Sequence, residues 1–174
     1  MTTYAEKTAM LLAEATKWIG TKETSPNGGK TVEMFQSVIG IAQGESWCFS
    51  FVQYCLKEVD KKCGSQTWVP QTEHVMTGWD RSRGAAKLPL PEPGCLVVWQ
   101  KHDSRGKPTI SGHIGIVVSV NKGSIVTIEG NTSDGVTVNR DGDGVYKRTR
   151  TLTPTGSLII KGFLRCWAVD AVIS

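Results

Sequence analysis

The chain has 174 residues, 39% of them hydrophobic, with 20 Lys and Arg against 16 Asp and Glu and a net charge of +4. A chain of that length forms one domain, residues 1–174, burying roughly 70% of the surface its unfolded state exposes. No apolar run approaches the roughly 20 residues of a membrane span, and the cations are dispersed without interleaved stacking aromatics, which argues against stable membrane insertion and against nucleic acid as a partner.

The N-terminal stretch carries Glu6, Lys7, Glu14 and Lys17. Its apolar Leu11, Ala15, Trp18 and Ile19 fall at helical spacing rather than forming a signal-peptide core, so synthesis in the cytoplasm is expected. A Gly/Asn/Pro loop from Ser25 to Lys30 leads to a short helix over Thr31–Val38. Next, Cys48, Val52, Cys55, Leu56 and Val59 share one face of a 3.6-residue period, which predicts a helix opening at Cys48. Ser46 suits its N-cap, Glu45 complements the dipole, and Lys61-Lys62 before Cys63-Gly64 reads as the stop. Pro89-Leu90-Pro91-Glu92-Pro93 is extended and marks the passage into a strand-rich half. A strand over Leu96–Gln100 and a polar loop over Lys101–Pro108 come first. In the following segment Ile114, Ile116, Val118 and Val120 alternate with His113, Gly115, Val117 and Ser119, a strand that His113 enters. Asn121-Lys122-Gly123 turns the chain into a strand from Ser124 to Glu129. Two further strands, Val145–Arg150 and Leu158–Val169 broken at Gly162, complete the order expected of an α+β domain with helices packed on an antiparallel sheet.

Chemistry concentrates at three of these positions. A thiol that opens a helix meets the positive end of the dipole, so the Cys48 thiolate is favoured. The hairpin brings Glu129 back towards His113, and Gly115 leaves room beside the imidazole for a helix end or a substrate. Nucleophilic attack by a thiol on a carbonyl needs a thiolate, an imidazole and a group that sets the imidazole tautomer. Cys48, His113 and Glu129 supply those residue types. His74 and His102 are rivals for the base, but one lies in a segment without periodicity and the other in a polar loop.

The segments Ser46-Trp47-Cys48, Pro93-Gly94-Cys95-Leu96-Val97-Val98-Trp99, Gly112-His113-Ile114-Gly115-Ile116-Val117 and Glu129-Gly130-Asn131-Thr132, in that order, resemble the CHAP family. These are cysteine- and histidine-dependent amidohydrolases and peptidases with a papain-like fold. The resemblance runs from about Ala5 to Trp167. It departs after Pro93-Gly94, where the family usually has an acidic residue and this chain has Cys95. By resemblance, Cys48 is the nucleophile, His113 the base, Glu129 the orienter, and Asn131 a polar assistant that replaces or supports Glu129. The resemblance also implies bacterial peptidoglycan as substrate, a monomer without cofactor, and action in the periplasm or cell wall after release. An endolysin of phage or prophage origin is the first expectation, with no separate wall-binding domain and with dependence on a holin. A toxin delivered by a secretion system, paired with an immunity protein, is the alternative, and a non-catalytic wall- or partner-binding module is a third.

Trp47, Trp79 and Trp99 are candidates for lining a substrate groove, with core packing as the competing reading. Gln36 and Gln43 precede Cys48 and are candidates for the second oxyanion donor beside the nucleophile's own amide. Five cysteines without an export signal argue against a disulfide framework and leave at least one free thiol. Cys55, Cys63, Cys95 and Cys166 are read as buried or inert. A zinc site from Cys48, Cys55, Cys63 and His74 lacks the close spacing of zinc knuckles, so no metal is expected. Asp141-Gly142-Asp143-Gly144 reads as a turn, with calcium the competing reading.

Overall fold

The structure is a computed structural model that describes residues 2–134 and 142–170. Four helices open the chain: α1 (Tyr4–Thr16), α2 (Lys30–Ser37), α3 (Cys48–Cys63) and α4 (Val75–Arg81). A 3-10 turn, Gly84–Ala86, leads into β1 (Lys87–Leu88), β2 (Leu96–His102), β3 (Pro108–Asn121), β4 (Ser124–Thr132), β5 (Gly144–Thr151) and β6 (Leu158–Leu164). The strands form one six-stranded sheet in the order β1-β6-β2-β3-β4-β5, every pair antiparallel. The architecture is the α+β, papain-like arrangement expected from the sequence.

Local chemistry sets the helix ends. Thr3 and Glu6 form a reciprocal capping box at α1, satisfying amides that the helix itself leaves free. Gly64 ends α3 in the left-handed conformation at φ 60°, with Lys61 and Lys62 in the last turn as expected. At the other end of α3 the expectation fails: the N-cap is Trp47, without a side-chain cap bond, and Ser46 serves the Cys48 thiol instead. The α4 helix was not legible, because seven residues containing Gly78 are too short to display a period. Gly78 is there for contact: a Cβ on it would lie 2.5 Å from Cε1 of Phe49. The polar loop shrinks as well, since β2 runs to His102 and β3 starts at Pro108. His113 consequently stands inside a long strand rather than at its entrance.

Both sheet faces are covered. Leu11, Phe35, Phe51 and Leu56 from the helices pack against Ile114 and Ile116, while Val97, Trp99, Val117 and Ile125 form a second cluster. The alternation read from the sequence therefore separates two cores rather than core from solvent. All five cysteines are free, and Cys55, Cys95 and Cys166 are buried. No helix among the described residues is long and apolar enough to cross a membrane.

The start of α3 is registered on β4 at Gly130, where an added Cβ would meet Cβ of Phe51 at 2.7 Å and Cζ3 of Trp47 at 2.9 Å. Phe51 and Trp47 have no exposed surface into which to yield. Gly130→Ala is expected to cost about 1–3 kcal/mol through overpacking, at about 2–4 °C of melting temperature for each kcal/mol. Thermal unfolding followed by circular dichroism measures it. An unchanged midpoint would show that the contact relaxes freely.

Candidate active site

Cys48 is the first residue of α3 and only 5% exposed, its thiol facing the imidazole of His113. The imidazole comes from β3, and its Nε2 lies 2.9 Å from Oε2 of Glu129 on β4. With Nε2 engaged there, Nδ1 is the nitrogen that serves the thiol. Glu129 reaches His113 because the register pairs Ile116 with Ile128, which sets Glu129 across from Gly115. The space beside Gly115 belongs to neither a helix end nor a substrate, since an added Cβ would meet Cγ of Glu129 at 2.7 Å.

Glu129 is completely buried and its carboxylate is fully engaged. Arg150 of β5 donates through Nε to Oε1 at 2.8 Å and through Nη2 to Oε2 at 2.5 Å. Thr127 donates its hydroxyl to Oε1 at 2.5 Å. Trp99 of β2 stacks on His113 with 5.6 Å between centroids, and the Arg150 guanidinium lies 5.5 Å from the same indole. One ring therefore flanks both cations of the site.

Charge follows from these contacts. Burial alone would raise the Cys48 thiol, but the bonds and charge from His113, then Ser46 and the Phe49 amide, bring it below its ordinary value. Burial would lower His113, yet its bonds to Cys48 and Glu129 raise it to about 9. Burial likewise opposes the Glu129 anion, and Arg150, with His113 behind it, holds the carboxyl far below the usual range. Both shifts favour the thiolate–imidazolium pair over the neutral thiol and imidazole, and the thiolate is the form that attacks a carbonyl.

A family model described as CHAP domain matches residues 40–131, more than half of the chain. The chain belongs to the CHAP family. Neither a curated protein nor a solved structure matches it. Membership makes the chain one of the cysteine- and histidine-dependent amidohydrolases and peptidases, of peptidoglycan-hydrolase type. Cys48, His113, Glu129 and Asn131 all fall within the matched span.

Two clefts of about 380 and 450 Å³ meet at Cys48 and share Ser46, Ser111 and Gly112 in their walls. The first continues past Lys101, Asn131 and Arg150, the second past Glu73, His74 and Ile110. Gly112 lets β3 lie close against β2 and α4, because a Cβ there would strike the Trp99 carbonyl at 2.6 Å. A larger cleft of about 500 Å³ beside Trp68 and Arg83 includes neither Cys48 nor His113.

Several expected contacts are placed elsewhere. Trp47 is fully buried, with its indole N–H donating to Glu23 at 2.7 Å, so it is core and not groove. Gln36 is 1% exposed and gives its amide to the carbonyls of Asn27 and Glu45, which ties down the loop before Cys48 rather than reaching a substrate. Trp99 is 4% exposed and lies beneath the imidazole instead of lining either cleft at Cys48. Trp79 packs against Gly162 and under Lys87. Neither cleft at Cys48 includes Gln43 in its wall.

Asn131 does line the first cleft, and its side-chain amide donates to the Ser46 hydroxyl at 2.9 Å. Its reach is thus to the thiol side of the site, through Ser46. Of the rival histidines, His102 bonds the Gly106 carbonyl within its hairpin, whereas His74 pairs with Glu73 on the wall of the second cleft. Among the described residues no group of three His, Cys, Asp or Glu is placed to hold a metal ion. Asp141, the key residue of the calcium reading, lies outside the described residues, and Asp143 accepts from the Tyr146 hydroxyl. Sequence reading missed Arg150 and Thr127 as members of the site. Thr127 stands two residues before Glu129 on the same face of β4, a spacing the sequence displays, whereas a period-2 strand ending in Arg carries no local sign of a buried partner, so only the β4–β5 register reveals Arg150.

The titration of the site has a defined sign. His113 is raised from 6.5 to about 9, so its contribution to stability is complete below 6.5 and is lost as pH rises through about 9. Glu129 is lowered from 4.5, so its contribution is present above 4.5 and is lost as pH falls towards its folded value. Iodoacetamide should alkylate Cys48 at pH values where Cys55, Cys95 and Cys166, whose thiols burial raises, have become unreactive, read by mass spectrometry of the cysteine peptides. A Cys48 alkylation curve coincident with that of an ordinary thiol would contradict the ion pair.

Proposed function

We propose that this chain hydrolyses amide bonds of bacterial peptidoglycan with Cys48 as nucleophile, His113 as acid and base, and Glu129 as the group that orients the imidazole. The observation that carries the reading is the contiguous Cys48–His113–Glu129 line, with its thiol at the junction of two clefts. In this scheme the thiolate Sγ attacks the carbonyl carbon and the developing oxyanion faces the first turn of α3, whose amides have no partner within the helix. The imidazolium passes its Nδ1 proton to the leaving nitrogen as the C–N bond breaks, leaving a thioester and a free amine. Water then attacks the thioester while Nδ1 takes its proton, the C–S bond breaks, and carboxylic acid and the thiolate–imidazolium pair are regenerated.

Two clefts are what an internal amide requires, one for the acyl side and one for the amine side. The net charge of +4 favours approach to an anionic cell wall. We read the biological setting as that of a phage or prophage endolysin, made in the cytoplasm and acting on the wall after release through a holin.

Cys48→Ala and Cys48→Ser should abolish clearing of permeabilised cells while the fold, judged by circular dichroism, is retained. His113→Ala should be nearly as damaging, and Glu129→Gln should lower turnover less, because orientation and imidazolium stabilisation are only partly lost. A folded Cys48→Ala protein that still clears cells would remove the thiol from the mechanism.

The scissile bond is read by mass spectrometry of the muropeptides released. A new amino terminus on the first stem alanine marks an amidase, and a cut between stem or bridge residues marks an endopeptidase. Products that carry only broken glycosidic bonds would overturn amide hydrolysis altogether.

A further inference from the structure

We propose that Arg150 is a positioning residue of this site, clamping the Glu129 carboxylate in the one orientation that holds His113 towards Cys48. The inference rests on the reading of Cys48 and His113 as the reacting pair. Arg150 stands on β5, beyond the matched residues 40–131, and touches neither the thiol nor the imidazole directly in the contacts described. It acts through Glu129.

Geometry supports the role. A carboxylate on a buried side chain keeps a rotational choice unless both oxygens are bound. Here Oε1 accepts from Nε of Arg150 at 2.8 Å and from Thr127, and Oε2 accepts from Nη2 of Arg150 and faces Nε2 of His113 at 2.9 Å. The planar fork fixes both oxygens at once, which an ammonium cannot do. Trp99 packs against both the guanidinium and the imidazole and limits the movement of each. The charged groups bonded to Glu129 are His113 from β3 and Arg150 from β5, so signs alternate along thiolate, imidazolium, carboxylate and guanidinium. Without the guanidinium, a wholly buried carboxylate would face His113 with only the Thr127 hydroxyl to help it. It would then take up a proton at a higher pH and release the imidazole from its orientation.

A purely structural role would make the same salt bridge stabilise the fold and nothing more. Three measurements separate the two. Arg150→Met should lower hydrolysis of purified peptidoglycan sacculi about tenfold or more and move the acid limb of Cys48 alkylation by iodoacetamide upward by about one pH unit or more. Guanidinium chloride, at a concentration below that which perturbs the wild-type fold, should restore part of both. In a Glu129→Gln background, the further change Arg150→Met should alter the sacculus rate by less than about twofold, since a residue acting through Glu129 has nothing left to act on.

A cooperatively melting Arg150→Met protein with wild-type rate and alkylation curve would overturn the proposal. So would a reduced rate with an unmoved curve and no response to guanidinium. If Arg150→Met does not fold, the double variant, which buries no lone charge, decides the matter: a rate about tenfold or more below that of Glu129→Gln refutes action through the carboxylate. Failure of the underlying catalytic reading looks different, because Cys48→Ala would then remain active, whereas failure of the Arg150 role leaves Cys48→Ala inactive.

Discussion

The buried carboxylate of Glu129 is the constraint around which the site is organised. An anion with no exposed surface is costly unless charged donors surround it, and here Arg150, Thr127 and His113 all converge on it. Those partners come from β3, β4 and β5, so the carboxylate is satisfied only when the three strands pair in one register. A slip of one residue between β4 and β5 would turn Arg150 to the opposite face and leave the anion alone. Correct sheet assembly and a fixed imidazole are thus the same event.

The thiol enters this arrangement from the helical layer. Gly130 lets Phe51 and Trp47 approach β4 more closely than any side chain would allow, which brings the start of α3 to the sheet. Gln36 and Glu23 anchor the segment before it, one through loop carbonyls and one through the Trp47 indole. Their contribution is to place Cys48 within reach of an imidazole whose own position is determined by the sheet.

Two departures from expectation share a cause. Trp47 and Trp99 have the appearance of groove residues because they flank Cys48 in sequence or precede the His113 strand, yet one anchors the core and the other supports the imidazole. Aromatic rings bury large areas, and the volume beside a buried ion pair is where a stacked ring displaces water most effectively. The groove itself is built from smaller and more polar residues, among them Ser111, Gly112 and Asn131.

The hydrophobic period of α3, the alternation in β3 and the turn at Asn121-Lys122-Gly123 were legible in the sequence because each depends on neighbours a few residues apart. So were Cys48, His113 and Glu129 as types, since a thiol at a helix start and two polar side chains on one hairpin follow from local spacing. The short α4 helix, the true start of β3 and the anchoring roles of Gln36 and Trp47 were not, because each is decided by contacts with distant segments. The Arg150 fork is the extreme case. Nothing within β5 distinguishes that arginine from an exposed one, and only the register of β5 on β4 delivers it to a carboxylate that lies 21 positions earlier in the chain. Local periodicity determined which elements form and which chemical groups they carry. Long-range strand pairing and helix docking decided which of those groups meet, because electrostatic and packing energies depend on distance in space and not on separation along the chain.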